Sequence, residues 1–464
     1  MINFETYQSP FGWRYGSPAM RAVWSEHHKR LLWRKIWVAL ARVQSEFDLV
    51  TPEQVEDLEA HQSAIDIPRA LEIEIEIQHD LMAEVKVFAS QCPVGGGIIH
   101  LGATSMDIED NADAVRLRES LELLLIRLND LLAAFADKIE QWADQPLIAF
   151  THLQPAEPST LGYRLSLYAQ DLLADWQALR TDLQTLRGKG FKGAVGTGAA
   201  YIELLGAENY ELFEERLSEL MHLPFYPICG QTTPRKQEYD ILCDLAGLAQ
   251  SLSKFAFDLR LLQSQPIGEL AEPFGRNQIG SSAMPFKRNP IQCEKVNSLS
   301  RSLAQMPRQA WDNAAFSLLE RTLDDSADRR TLLPEAFLIA DELLTVVVRV
   351  VRGLQVRPEA IQRNLETYAP FAGTERILME MVKAGADRQE MHEVLRQHTL
   401  AAWEAMQRGE PNPLLDRLIA DPVITRYLPA GDIKQVADAR RYTGAAARRA
   451  REMAVTLRNT LSNA

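Results

Sequence analysis

Residues 280–290, GSSAMPFKRNP, bring two adjacent hydroxyls, a glycine, two prolines, a lysine and an arginine together between segments of helical character. Serine is a poor base in water, but a serinate is tolerated where backbone amides, a helix N-terminus and a lysine converge and water is excluded. Pro290 suits the first turn of a following helix, which would place the loop at that helix's positive end. As a bare pattern the stretch also fits a polar interhelical loop with caps. A second candidate is His152 in THLQPAEPST (151–160), between Thr151 and a proline-containing turn that leads into a helix. An imidazole can protonate a leaving group near neutral pH, although a lone histidine is more often a hydrogen-bonded structural residue. The third stretch is HLGATSMDIEDNAD (100–113), in which Asp107, Asp110 and Asp113 lie near the start of a long helix and suit caps and dipole partners.

The elements that must position these groups are helical. Apolar residues recur at spacings of three and four over about 113–142, 160–186, 238–262, 290–319 and 334–351, with Pro146 stopping the first and Gly353 a plausible C-cap for the last. Several of these approach or exceed about 25 residues, lengths that suggest a long-helix bundle rather than a compact globule. Their wide apolar faces favour oligomerisation. Shorter elements occupy the first hundred or so residues and the region from about 356, so three domains are expected, 1–110, 111–355 and 356–464. Strand signal is confined to Ile73, Ile75 and Ile77 alternating with glutamates, a period of two.

Composition narrows the function classes. Lys plus Arg (50) against Asp plus Glu (63) gives a net charge of −13, which on average repels nucleic acid and acidic membranes. An anionic ligand therefore needs a local basic pocket. The N-terminal sequence lacks a basic segment followed by an apolar core, and long apolar runs are missing, so a cytoplasmic protein without membrane spans is expected. Cys92, Cys229, Cys243 and Cys293 form no CxxC pair and support neither a disulfide framework nor a structural zinc site. GKGFKG (188–193) matches a dinucleotide fingerprint by letter but follows a helical stretch, so RGKGFKGAVGTGAAY reads as a mobile glycine-rich loop, either bringing amides to a ligand or simply connecting. His392 and Glu393 begin a zinc-like string that Arg396 cannot complete, and His27 and His28 read as a solvated surface pair.

GSSAMPFKRNP closely resembles the signature GSSxMPxKxNP of the fumarase and aspartase superfamily, whose members release fumarate by β-elimination. That resemblance implies Ser281 as the base, with Ser282 as runner-up, and Lys287 and Asn289 binding a substrate carboxylate. It implies His152 as general acid, about 130 residues away in sequence, with Thr151 beside it binding substrate, and Thr104 and Ser105 gripping a carboxylate. RYGSPAM (14–20), QHDLMAEV (78–85), GQTTPRK (230–236) and ERTLDDSADRR (320–330) are similar, within that superfamily, to the adenylosuccinate lyase family, closest to its animal-type members. By this match Arg14 and Tyr15 contact the nucleotide, His79 and Asp80 lie near the phosphate, Arg321, Ser326 and Arg330 hold the phosphate and its neighbours, and Gln231 binds the succinyl part. Several fixed cations suit a substrate with a phosphate and two carboxylates.

The resemblance implies an all-α, three-domain fold around a central long-helix bundle, a homotetramer with shared active sites, small-molecule purine nucleotide substrates, and no metal or organic cofactor. It also replaces the strand reading at 71–77 with helix and loop. Glu84 and Lys86 stand where animal-type members carry histidines, and Lys295 where they carry arginine, which puts fine substrate preference in question. Other superfamily lyases and a catalytically silent helical scaffold are the rival readings; the arginines argue against the first, and retention of Ser281, His152 and Lys287 against the second.

Overall fold

The computed structural model describes residues 5–438, 440 and 442–462 and is dominated by helix. Long helices span Ser105–Gln141, Leu161–Thr185, Lys236–Gln263, Asp324–Arg352 and Pro358–Lys383. The first three match the apolar periodicity to within a few residues, except that Ser105–Gln141 begins eight residues before the expected start. Thr104 N–H donates to the Asp107 carboxylate at 3.0 Å, so the polar stretch TSMD starts the helix rather than preceding it.

Three sequence expectations are corrected. The stretch 290–319 is two helices, Ile291–Leu303 and Met306–Ala315, because Pro307 lacks the N–H that would continue the first. The helix expected to start at Pro334 starts at Asp324 and carries Pro334 inside it. Ile67–Ile77 is helical, in line with the family resemblance, with the Asp66 carboxylate accepting from Arg69 N–H at 3.0 Å. Ala70 and Ile73 turn inward onto Ala83 and Val87 while Ile75 is 75% exposed, a helical rather than an alternating pattern.

The chain divides into two compact units, one of residues 1–128, 174–252 and 298–345 and the other of 129–173, 253–297 and 346–464. In the first, Trp33, Ile36, Trp37 and Leu40 of the Glu26–Glu46 helix pack with Phe88, Phe191, Tyr201 and Phe213. The same helix contributes to a buried ion triad: Glu84 accepts from Arg30 at 2.8 Å and Arg34 at 2.7 Å. Glu84 is thus an internal counter-ion for two cations on one helix, and Lys86 beside it is exposed.

In the second unit, Pro146–Thr151 and Gln154–Thr160 form an antiparallel hairpin, with Leu147 opposite Ser159 and Thr151 opposite Gln154 across an irregularity between Ile148 and Phe150. Pro155 and Pro158 are tolerated because a two-stranded hairpin is all edge. Tyr168 ties the Leu161–Thr185 helix to Lys236–Gln263 through a 2.8 Å hydrogen bond from its buried hydroxyl to Asp258. Tyr168→Phe is therefore expected to lower stability by about 1 kcal/mol, measurable as a shift in the urea midpoint without loss of fold. A separate cluster in this unit joins Ile377, Met381, Leu395, Leu414 and Ile433.

Candidate active site

In the unit containing 253–297, the segment that carries the two serines closes on itself. Asn289 Nδ2 donates to Gly280 O at 3.0 Å, and a side chain at Gly280 would collide with the Lys287 carbonyl. Ser281 Oγ accepts from Ala283 N–H at 3.3 Å and Met284 N–H at 3.1 Å. Two amide dipoles aimed at this oxygen favour its ionised form, as the reading of Ser281 as a base requires. Ser282 and Lys287 are exposed, as are Ile279 and Phe286 at 81% and 82%.

The helix N-terminus behind this loop does not offer its amides to a ligand. The buried Glu272 carboxylate already accepts from Gln292 N–H at 3.1 Å and Cys293 N–H at 3.0 Å. The anion expected at the positive end of Ile291–Leu303 is a side chain of the protein itself, and Lys295 lies on the same helix.

His152 and Thr151 sit at the tip of the hairpin, both exposed. His152 and Leu153 have φ of +53° and +60°, a pair of left-handed residues that forms the primed turn natural to a two-residue hairpin loop. The histidine thus lies on a projecting turn between strands rather than in a turn leading directly into a helix. A cavity of about 720 Å³ in this unit is lined by Phe150, Leu153, Arg164, Tyr168 and Trp403, and neither Ser281 nor His152 is among its walls.

The remaining candidates fall in the other unit, where several converge. His79 caps Asp80–Gln91, and its ring lies 3.5 Å from Ser105 Oγ. Arg330 donates to Asp80 at 2.7 Å while its side chain stays 56% exposed, and Ser326, one turn away, lines the same small cavity. Gln231 is joined to the segment ahead of Arg321 by its N–H to Glu320 O at 2.9 Å. Arg14 and Tyr15 follow the short turn Pro10–Gly12, with the Arg14 guanidinium 5.7 Å from the Trp13 ring and 5.9 Å from the Tyr15 ring. Gly16 N–H donates to Glu342 at 3.1 Å and anchors this segment to the Asp324–Arg352 helix.

Two ion networks that sequence reasoning did not foresee hold these residues in place. Asp110 accepts from Thr233 N–H at 2.7 Å and Arg235 at 3.0 Å; Arg235 reaches Asp325 at 2.6 Å, and Asp325 accepts from Arg321 at 3.0 Å. Burial pushes the Asp110 carboxyl up, but Arg235, Arg329 and the Thr233 amide outweigh it and hold it below the usual carboxylate range. In the second network the fully buried Asp107 accepts from Lys189, from Lys192 and Gly193 N–H at about 3.2 Å, and from Tyr201 OH at 3.2 Å. The glycine-rich stretch is therefore a cradle for an internal carboxylate rather than a mobile loop. Gly196, at φ +84°, passes so close to Cys229 O that no side chain fits there. The alternation of Lys189 and Lys192 with glycines was the available sign of a buried anion.

The histidine pair at 27–28 is not wholly solvated, since His28 bonds Glu119 at 2.7 Å. Arg396, in the place of a second zinc-type histidine, donates to Glu393 at 2.6 Å. No helix among the described residues is long and apolar enough to cross a membrane.

Comparison with known proteins shows what the chain as a whole is similar to. Residues 40–304 match a family model described as Lyase, and residues 370–453 match one described as Adenylosuccinate lyase C-terminus. The adenylosuccinate lyase of Saccharomyces cerevisiae is 39% identical over 430 residues, 91% of this chain and 89% of that protein. Those of Schistosoma mansoni and Archaeoglobus fulgidus are 40% and 35% identical over 431 and 440 residues. Among solved structures, a 3-carboxy-cis,cis-muconate lactonizing enzyme from Pseudomonas putida superposes with a TM-score of 0.85 at 24% identity, covering 97% of this chain and 100% of that one. A fumarate lyase from Mesorhizobium sp. BNC1 gives 0.83 at 22%, covering 97% and 99%. At those identities the structures speak for the all-α fold alone.

Proposed function

Since the chain belongs to the adenylosuccinate lyase family, we propose that Ser281 and His152 are the base and the acid of a β-elimination that releases fumarate from adenylosuccinate. The protein is a carbon–nitrogen lyase of purine biosynthesis, and its residues divide the reaction as follows. Ser281 Oγ takes a proton from the succinyl carbon next to a carboxylate, the C–N bond breaks with its electron pair going to nitrogen, and His152 supplies the proton that nitrogen needs. Lys287, Asn289, Thr104 and Ser105 bind the substrate carboxylates and spread the carbanion charge, while Thr151, beside His152, also contacts the substrate. Arg14 and Tyr15 bind the nucleotide, Gln231 the succinyl part, and Arg321, Ser326 and Arg330 the phosphate, with His79 and Asp80 beside them.

The observation that carries this reading is Ser281 Oγ receiving two amide hydrogens in a loop tightened by Asn289. The same chemistry extends to the succinylated carboxamide ribotide, which presents the same succinylamino group. Assembly as a cytoplasmic homotetramer with active sites shared between subunits fits the large apolar side chains left exposed on the chain, among them Ile228 (83%), Leu319 (94%) and Phe257.

The decisive assay measures fumarate from adenylosuccinate and from argininosuccinate; release from the second and not the first would overturn the assignment. Arg330→Ala gives a finer test. Its bond to Asp80 is half exposed and readily exchanged for a phosphate, so the variant loses a charged hydrogen bond of about 1.5–3 kcal/mol. KM is expected to rise roughly 10–100-fold with kcat nearly unchanged. An unchanged KM would remove Arg330 from the phosphate site.

A further inference from the structure

Within the first unit a cavity of about 130 Å³ has Lys29, Asp80, Glu109, Ser326 and Arg330 among its walls. Glu109 has no role in the reaction outlined above. It lies on the Ser105–Gln141 helix one turn before Asp113 and two before Arg116, so all three share a face. The charges around it are paired with one another. Lys29 bonds Glu26 at 2.6 Å, Arg330 bonds Asp80 at 2.7 Å, and Asp113 bonds Arg116 and Arg329 at 3.0 Å each. Glu109 forms no ion pair among the described residues. The groups around it are Glu26 and Lys29 from the Glu26–Glu46 helix, Asp80 from Asp80–Gln91, Asp110, Asp113 and Arg116 from its own, and Arg329 and Arg330 from Asp324–Arg352. These four acidic and four basic neighbours offset one another, so an ionised Glu109 would be the charge left without a counter-ion.

We propose that Glu109 is a specificity-determining residue of the phosphate cradle: protonated, it leaves the cavity open to a dianionic phosphate on Ser326 and Arg330, and ionised, it repels that phosphate. The inference rests on the reading of Ser326 and Arg330 as phosphate ligands. Burial, then the fields of Asp80, Asp110 and Asp113, push the Glu109 carboxyl up to about 8 against a smaller opposing pull from Lys29. Near neutral pH the group is therefore mostly uncharged and able to donate a hydrogen bond. Above that value it becomes a carboxylate facing the phosphate.

The test is the pH dependence of binding. For the wild type, KM for adenylosuccinate is expected to rise about tenfold between about pH 7 and about pH 9, the ratio of total to protonated Glu109 at one unit above its midpoint. For Glu109→Gln, KM stays flat over that range and equals the wild-type value at the lower end. A structural role alone would change stability or kcat and leave the slope in place. The same slope in Glu109→Gln overturns the proposal. Calorimetric titration of the wild type with AMP and with adenosine keeps the question open to refutation should the variant fail to fold: the affinity for AMP falls about tenfold over the same range while that for adenosine holds, and an unchanged AMP affinity overturns the proposal. If Arg330→Ala leaves KM unchanged, the phosphate cradle itself is misplaced. If Arg330→Ala raises KM while Glu109→Gln keeps the wild-type slope, the cradle stands and the role of Glu109 falls.

Discussion

Ser281→Ala is expected to lower kcat by about 10²–10⁴-fold, the usual contribution of a positioned general base, while leaving KM within a few-fold of wild type. The hydroxyl does two jobs. It is the proposed base, and its oxygen accepts the amides of Ala283 and Met284, which shapes the turn. Loss of the second function alone would loosen the loop and raise KM. A dominant fall in kcat therefore isolates the chemical role. Ser282→Ala is the control, because Ser282 is exposed and makes no comparable pair of amide contacts. Steady-state rates of fumarate release from both variants decide the matter: if Ser282→Ala is the inactive one, the base moves to Ser282, and full activity in Ser281→Ala removes Ser281 from the chemistry.

Much of this arrangement was legible in the residues, and the exceptions have physical causes. Apolar periodicity located the long helices because a wide apolar stripe can be buried in only one way. It misplaced the start of Ser105–Gln141 because that first turn is held by polar bonds, Thr104 to Asp107 and Asp107 to Lys189, that leave no apolar trace. The hairpin at 146–160 was invisible for a similar reason. His152 and Leu153 occupy left-handed positions without the glycine or asparagine that usually marks them, and Pro155 and Pro158 argue against strand unless the strand is an edge. The loop at 280–290 was recognised by its residues, but a serine followed by a lysine does not reveal that Glu272, eight residues before Gly280, occupies the helix N-terminus behind it. That fact shifts the stabilisation of an ionised Ser281 onto the two amides within its own turn. Glu84 shows the converse. As a departure from relatives it seemed to bear on substrate preference, yet its side chain is a buried counter-ion for Arg30 and Arg34.

The largest effect on stability is expected at Asp107. Its carboxylate is wholly buried and takes hydrogen bonds from Lys189, from the amides of Thr104, Lys192 and Gly193, and from Tyr201. In Asp107→Ala the Lys189 ammonium, itself fully buried, keeps only the Gly193 carbonyl at 3.2 Å as partner among the described residues. An uncompensated buried charge of this kind costs about 3–5 kcal/mol, and the stranded amides add to that. Removing the charge along with its partner should recover much of the loss, so Asp107→Ala with Lys189→Met is expected to be more stable than Asp107→Ala alone. Urea unfolding of the three proteins measures the difference, and a double variant no more stable than the single one would show that the amides, not the ion pair, dominate. The consequence for activity follows from position. Asp107 fixes Thr104 through its amide and starts the helix on which Ser105 sits, two residues away. Even where Asp107→Ala stays folded, the proposed carboxylate grip of Thr104 and Ser105 would lose its anchor, and KM for adenylosuccinate should rise together with the fall in stability.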